Sequence, residues 1–431
     1  MGPHGQTRGT IPNAPAGRTS STRGPIPPMA KAVVLWCCDR MHMPNQPARP
    51  SCILIHYSEI GLKGQNRPFF QRVLKEQIQQ RLPQNTKIEL REQRFILRNK
   101  NVEELLLSIP RLQNVFGIAW LASAFELKPD IDAIKSFIDT KGGLFLGDAH
   151  TFRITAHRAD KSFPHTSQEI ARVLGQIIVD TYKRKVDLAN PQKEIFVDIL
   201  PRSAFIYTDV HEGLRGLPVG SSGKVLSLFS GGIDSPVSSW LMMKRGCLPS
   251  YIHFHAFRSV KELEGSKIEK LLKILAGFGS PAKVYFIPFS SFQAEILDLN
   301  PRYELLLFRR FIVKTAQELA LENGFEALIM GDNLGQVASQ TLPYLALTDH
   351  DITLPILRPL ISYNKEEIIT LAKQIKTYEP SIETYKDCCS IVAKHPTLSP
   401  DSQKLQEFEK KINLDAIVQR SLKEAEEKEY Y

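Results

Sequence analysis

Residues 227–236 read SLFSGGIDSP, and their types and spacing suit the handling of phosphate. An apolar run, KVLSLF, stops at two glycines set between serines, and a carboxylate and a further serine follow. Gly231 and Gly232 let the backbone come close to a ligand and present its N–H groups. Ser230 and Ser235 can donate to phosphate oxygens. Ser235 also reads as a helix N-cap with Pro236 at the first helical position. Val237, Trp240 and Leu241 then recur at helical spacing, and a helix starting here places about half a positive charge at the turn. Asp234 would repel phosphate directly, but it suits a Mg²⁺ ion that bridges to the phosphates. The turn is not a Walker A loop, because G-x-x-x-x-G-K-[ST] requires a lysine that is absent here. The plainer alternative is a strand–helix turn with glycine for steric reasons.

A second group of reactive side chains lies in residues 384–396, TYKDCCSIVAKHP, where Cys388 and Cys389 are adjacent. Asp387 would raise a thiol pKa there, and Lys386, Lys394 and His395 could lower it. The other cysteines are Cys37, Cys38, Cys52 and Cys247. The chain has no C-x-x-C, which disfavours zinc or iron–sulfur ligation, and the spacing is not that of a secreted disulfide framework. A reducing, cytoplasmic setting is expected.

Basic side chains cluster in two places. Arg158, Lys161, His165 and Arg172 surround a turn and the helix it opens, where Thr166 and Glu169 form a capping box. Lys63, Asn66 and Arg67 lie on a glycine-containing turn, and Arg309 and Arg310 lie on a helix over 301–323. Such groups either grip phosphates without reading sequence or form a solvated face.

These residues need a frame. The chain has 431 residues, 42% apolar and 23% charged, which fits several globular domains, and no stretch has the length of a membrane span. Net charge is +9, a weak pointer to a polyanionic partner. Residues 1–50 contain six Lys/Arg and one acid, Asp39, and are rich in Pro, Gly and Ser. They read as a disordered or mis-assigned extension, with Met41, Met43 or Ser51 as alternative starts, or as a transit peptide. A β-α-β-β-α pattern follows over 51–118. A second α+β unit spans 119–214 and ends in a strand pair. The Gly/Ser-rich 213–224 reads as a linker, and from 215 to 400 buried-type strands alternate with helices, as in a doubly wound parallel sheet. Residues 401–431 read as a charged helical tail.

The S-G-G-x-D-S turn resembles the PP-loop of ATP pyrophosphatases, which implies cleavage between the α- and β-phosphates of ATP. The longer stretch LRGLPVGSSGKVLSLFSGGIDSPVSSWLMMKRG is similar to the ThiI family of tRNA 4-thiouridine synthetases. So are HYSEIGLKGQNRPFF (56–70), AHRADKSFPHTSQEI (156–170), GDNLGQVASQTL (331–342) and LRPLISYNKEEII (357–369). The resemblance implies a ferredoxin-like unit, a THUMP RNA-binding domain and a PP-loop domain. It implies thiolation of uridine 8 of tRNA, with Mg²⁺ and ATP as cofactors. Besides the turn, it implies nucleotide contacts from Leu228, Phe229, His253, Phe254, Gly331 and Gln340, and tRNA contacts from Lys63, Asn66, Arg67, Arg158, Lys161, Arg172 and Arg309. Its C-x-x-x-x-K-x-P pattern, counted back from Lys394, makes Cys389 the catalytic cysteine, with Cys388 as the alternative.

Longer members carry a C-terminal rhodanese domain, and the residues that follow the match here are expected to be too few to hold one. Sulfur is therefore expected from a separate cysteine desulfurase, as a persulfide on Cys389, and a homodimer is a candidate assembly. Cys247, after a helix, reads as a packing residue. Asp332 stands where relatives commonly have glutamate, and HFHAFR (253–258) replaces a more proline-rich segment. Three other readings remain: sulfur hand-off for thiamine thiazole synthesis, a tRNA-binding protein with an inactive PP-loop, and a pyrophosphatase with another substrate.

Overall fold

A computed structural model describes residues 49–159, 161–337, 339–386, 388 and 400–431. Cys389 and Lys394 lie outside the described residues, as does the extension before Arg49.

The first sheet contains β1 (Cys52–Tyr57), β2 (Lys87–Arg91), β3 (Arg94–Arg98), β4 (Ile118–Leu127), β5 (Thr151–Arg158), β6 (Lys185–Val186), β7 (Lys193–Ile199), β8 (Ala204–Tyr207) and β9 (Val210–Glu212). Its order is β2-β3-β1-β4-β8-β7-β5-β6, with β9 also paired to β4. Strand β1 is apolar on both faces because both are covered. Ile53, Ile55 and Tyr57 meet Leu74 and Ile78 of the helix Arg67–Gln79, and Cys52 and Leu54 meet Ala122, Ala124 and Phe205. The first half of β4 pairs with β1, and its last residues, Phe125–Leu127, pair with β8. Both N-terminal units therefore hang from this one strand.

Two local expectations change. The helical pattern at 102–109 is two short helices, Val102–Leu106 and Ile109–Gln113, the second with a proline in its first turn. The strand pair at the end of the second unit is three strands, β7, β8 and β9.

The second sheet contains β10 (Lys224–Leu228), β11 (Leu248–His255), β12 (Ala282–Pro288), β13 (Ala327–Ile329), β14 (Ile356–Leu357) and β15 (Glu426–Tyr430), in the order β14-β13-β10-β11-β12-β15. All neighbours are parallel except β12 with β15. Helices Asp234–Lys244 and Lys267–Ala276 cover one face, where Val237, Trp240, Ile268 and Leu272 pack with Tyr251, Val284 and Phe286. The helix Pro301–Glu322 covers the other through Val313, Ala316 and Leu319 against Leu226, Ile252 and Leu328. This is a doubly wound sheet. The strand order reverses at β10, between β11 and β13, which is where such sheets bind ligands.

The charged tail is only partly helical. After the helices Ser402–Ile412 and Leu414–Lys423, the chain returns as β15, because Tyr430 has a place in the core and the backbone of β12 has an open edge. The 213–224 segment is no free linker. Its first half bonds to the start of β4 through Gly213 N–H to Ala119 O (2.9 Å) and Arg215 N–H to Ile118 O (2.8 Å). Its second half bonds to the end of the helix Asp234–Lys244 through Leu217 N–H to Lys244 O (3.0 Å) and Gly220 N–H to Gly246 O (2.9 Å).

Candidate active site

The SGGIDS turn sits at the C-terminal end of β10. Gly231 has φ +76°, and a Cβ there would strike Ile268, so both conformation and space demand glycine. The helix begins two residues earlier than the sequence suggests, at Asp234, so Ser235 lies inside its first turn and does not cap it. Its hydroxyl instead accepts from Gly231 N–H (3.2 Å), and the Ser230 hydroxyl accepts from Gly232 N–H (3.3 Å). The two serines thus hold the turn's amides in a fixed direction.

Asp234 is not alone. Lys365 Nζ donates to both of its carboxylate oxygens (2.7 and 3.1 Å), and Gln336 Nε2 donates to Oδ2 (3.3 Å). Lys365 is the first residue of the helix Lys365–Gln374, placed by a capping box between Asn364 and Glu367. Nothing in the spacing of the sequence marks Lys365, which is 131 residues from Asp234.

Beside the turn opens a cleft of about 520 Å³, lined by Leu228, Phe229, Ser230, Asp234 and Ser235 from the first strand and turn. Phe254 and Met330–Asp332 follow from the neighbouring strand ends, then Gln336 and Gln340 from the loop beyond, Leu305, Phe308, Arg309 and Ile312 from the long helix, and Cys388. The lining combines apolar and aromatic side chains with polar ones. Arg309 Nε, Gln336 Oε1 and Gln340 Oε1 are buried here without a hydrogen-bond partner among the described residues. Orphan polar atoms on the walls of a cleft fit a polar ligand. Deeper in, Asp332 is 3% exposed and bonded to Arg309 (2.8 Å) and Arg358 (2.9 Å), and Arg358 also reaches Asp349 (2.6 Å). Burial pushes the Asp332 carboxyl up, but the two guanidinium groups outweigh it and hold the carboxyl below the usual carboxylate range. With both oxygens engaged, Asp332 serves as the anchor of Arg309 and Arg358.

Several expected roles change. Arg309 lines the cleft, paired with Asp332. Arg310 is 1% exposed and tied to Glu409 and the Thr348 carbonyl. His253 is 1% exposed and does not line the cleft. Its Nδ1–H donates to Phe229 O (2.6 Å) and its Nε2 accepts from Tyr385 O–H (2.7 Å). Burial lowers its pKa to about 4, so it is the neutral tautomer that carries this chain of bonds. His253 thus ties the segment leading to Cys388 to the strand leading to the PP-loop. The alternation of HFHAFR could have shown this: Phe254, not His253, points to the cleft.

Of the remaining residues, Leu228, Phe229, Ser230, Ser235, Phe254, Gly331 and Gln340 meet at the cleft, with Gly231 and Gly232 in its turn. Cys388 lines it and donates to Phe254 O (3.5 Å). Cys247 is buried, and its thiol donates to Ser222 O (3.7 Å), away from the cleft.

On the N-terminal sheet, the Thr166–Glu169 capping box is present and Lys161 and Arg172 are exposed. Arg158 is half-buried and spends two bonds on the Lys161 and Phe163 carbonyls (3.2 and 3.0 Å), bracing the turn that presents Lys161. Arg67 likewise holds its own turn through Gly61 O (2.7 Å), Lys63 lies over the Phe70 ring (5.0 Å) and Asn66 is exposed.

Asp234 could serve as one protein ligand of a Mg²⁺ once Lys365 and Gln336 give up the oxygens they hold here. No cluster of three or more His, Cys, Asp or Glu among the described residues could hold a metal by protein groups alone. Among the described residues no helix is long and apolar enough to cross a membrane.

A strand–SGGIDS–helix turn at the reversal point of a parallel sheet, opening on a cleft with unpaired polar walls, defines a nucleotide-binding domain of the PP-loop class. The domain matches the family described as thiamine biosynthesis protein (ThiI) over residues 220–414, preceded by a ThiI ferredoxin-like domain at 52–122 and a THUMP domain at 134–209. A probable tRNA sulfurtransferase of Thermoanaerobacter sp. (strain X514) is 38% identical over 373 residues, 85% of this chain and 96% of its own length. One of Caldanaerobacter subterraneus subsp. tengcongensis is 39% identical over 375 residues, with the same shares. A crystal structure of a 4-thiouridine synthetase–RNA complex with bound ATP superposes with a TM-score of 0.78 at 32% identity, covering 88% of this chain and all of that one. The chain belongs to the ThiI family of tRNA sulfurtransferases.

Proposed function

We propose that the chain uses ATP to replace the 4-oxygen of uridine 8 in tRNA by sulfur. The observation that carries this reading is one cleft that brings together the SGGIDS turn, Asp234 with its Lys365 partner, and Cys388, next in sequence to Cys389. In the first step the uridine O4 attacks the α-phosphorus of ATP, an O–P bond forms, and pyrophosphate leaves. The Ser230 and Ser235 hydroxyls, which accept from the turn's amides and can still donate, hold the phosphates together with the helix N-terminus. Lys365 supplies positive charge beside Asp234 and Arg309 supplies it within the cleft, and Phe254, Phe308 and Met330 offer an apolar surface for the adenine. Asp234 would hold Mg²⁺, which when bound neutralises charge on the polyphosphate.

In the second step the terminal sulfur of a persulfide on Cys389 attacks C4. The C–S bond forms, the C–O bond breaks, and AMP carries the oxygen away. A second thiol then breaks the S–S bond, leaving 4-thiouridine and a disulfide that a dithiol reductant must reopen. The sulfur donor is a cysteine desulfurase, and the exposed Lys161 and Arg172 contact tRNA phosphates. The test is reconstitution with unmodified tRNA, Mg-ATP, cysteine and a desulfurase. Thiolated tRNA and pyrophosphate should form together, and both should be lost in Asp234→Ala. Cys389→Ser should lose thiolation and keep pyrophosphate release. Pyrophosphate release that does not depend on tRNA would refute the reading.

A further inference from the structure

The chain that leads to Cys388 crosses the C-terminal end of β11, and it starts on the PP-loop itself. Ser381, the last residue of the helix Tyr378–Ser381, is 5% exposed, and its hydroxyl donates to Gly232 O (3.5 Å). Further on, Tyr385 O–H reaches His253 on one face of β11 (2.7 Å) and Lys386 Nζ donates to Ala256 O (3.5 Å). Cys388 then bonds to Phe254 O on the side of the cleft. The strap from Ser381 to Cys388 therefore begins at the turn and ends in the cleft.

Lys267, the first residue of the helix Lys267–Ala276, lies between this strap and the turn. Its Nζ donates to Ser381 O (3.1 Å) and sits 5.4 Å from the centre of the Tyr385 ring. Its Cε is 3.5 Å from the point a Cβ on Gly231 would occupy. A cation bonded to a carbonyl and set over a ring holds both in a fixed relation. Lys267 is half-buried and does not line the cleft. The neighbouring pair of Lys270 with Glu383 (2.8 Å to each carboxylate oxygen) is exposed, and such pairs contribute little.

We infer that Lys267 is a positioning residue for the sulfur-transfer step, holding the strap on the PP-loop so that the cysteine segment meets the uridine activated there. It acts through Ser381 and Tyr385. Adenylation uses the turn, Asp234 and the cleft lining, and the loss of Lys267 removes none of these. A loose strap leaves the adenylated uridine waiting, and displacement of a reacting group by about 1 Å slows a reaction roughly 100-fold. Water then attacks C4 in place of sulfur. The C–O bond to AMP breaks, a proton is released and uridine is re-formed, so more ATP is consumed for each thiouridine made.

The inference rests on the reading that the cysteine segment delivers the sulfur, and the test separates the two. The full chain is reconstituted with unmodified tRNA, Mg-ATP, cysteine and a desulfurase, and single-turnover rates of pyrophosphate release and thiouridine formation are measured together. Lys267→Met keeps most of the aliphatic stem and loses the cation. Its pyrophosphate release should stay within about twofold of the parent while thiolation slows at least tenfold. Tyr385→Leu, which removes the ring under the cation, should show the same split. Lys267→Arg should recover most of the thiolation rate, and Lys270→Ala should leave both rates within about twofold. Parental thiolation in Lys267→Met, an equal fall of both rates, or a matching split in Lys270→Ala overturns the inference. A Cys389→Ser variant tests the other reading. If it still thiolates, the sulfur carrier is misassigned, and the role of Lys267 stands or falls on the split in Lys267→Met alone.

Discussion

Asp332→Asn offers a test of how the cleft keeps its charges ready. Asp332 is 3% exposed and faces two guanidinium groups that are themselves 11% and 13% exposed. The substitution keeps the shape and removes the charge. Arg358 retains Asp349 at 2.6 Å, so the loss falls on Arg309, whose Nε is already buried without a partner among the described residues. Removing one partner of a buried pair costs about 3–5 kcal/mol, and the amide's residual hydrogen bonds put this case near ~3 kcal/mol. For a domain of this size each kcal/mol lowers Tm by roughly 2–4 °C, so a fall of about 6–12 °C is expected. ATP should reverse part of it, because its phosphates offer Arg309 a new anion. At about a hundredfold excess over Kd a ligand adds ~2.7 kcal/mol, and the variant should gain more from ATP than the parent by the worth of one charge-assisted hydrogen bond, about 1.5–3 kcal/mol. Thermal denaturation with and without Mg-ATP reads both quantities. A Tm within about 1 °C of the parent would show that the buried pair does not hold the domain together. Equal ATP-induced shifts would show that Arg309 does not meet the nucleotide.

Lys365→Ala should raise the ATP KM and slow pyrophosphate release by tenfold or more, the effect of losing about 1.4 kcal/mol of transition-state stabilisation, with a stability change under about 1 kcal/mol because the pair is partly exposed. Lys161→Ala should lower tRNA affinity at low salt and reduce the slope of log K against log salt by about one, as read by filter binding across a salt series. His253 has a folded pKa of about 4 against an ordinary 6.5, so its contribution to stability is complete above pH 6.5 and declines as pH falls towards 4, by about 1.4 kcal/mol per unit. His253→Gln should flatten that part of a denaturant-unfolding pH profile. The same variant should slow thiolation more than pyrophosphate release, since it frees the segment that leads to Cys388. An unaltered ratio of the two rates would refute that link.

Much of the fold was legible because local signals agreed with one another. The apolar run of β10, the two glycines and the spacing of Val237 and Trp240 all indicate a strand, a turn and a helix. The capping box at Thr166 was readable from two residues. The rest depended on partners distant in sequence. Lys365 meets Asp234 only because the helix Lys365–Gln374 packs beside the PP-loop helix. Arg309 looked like a surface cation because the helical pattern alone does not show that Asp332 approaches from another loop. The resemblance put both His253 and Phe254 with the nucleotide residues, yet alternate residues of a strand face opposite ways. The β15 strand escaped because EEKEY has too many charges to look like a strand, and only Tyr430 finds a core.

That last strand has a bearing on how copies of the molecule meet. It forms the outer border of the second sheet, and an unshielded border invites a neighbour to extend it. Here the border residues are Glu426, Glu427, Lys428 and Glu429, so a second copy arriving in register would set carboxylate against carboxylate. Neutralising Glu427 and Glu429 should make the protein more prone to ordered self-association, without touching either substrate.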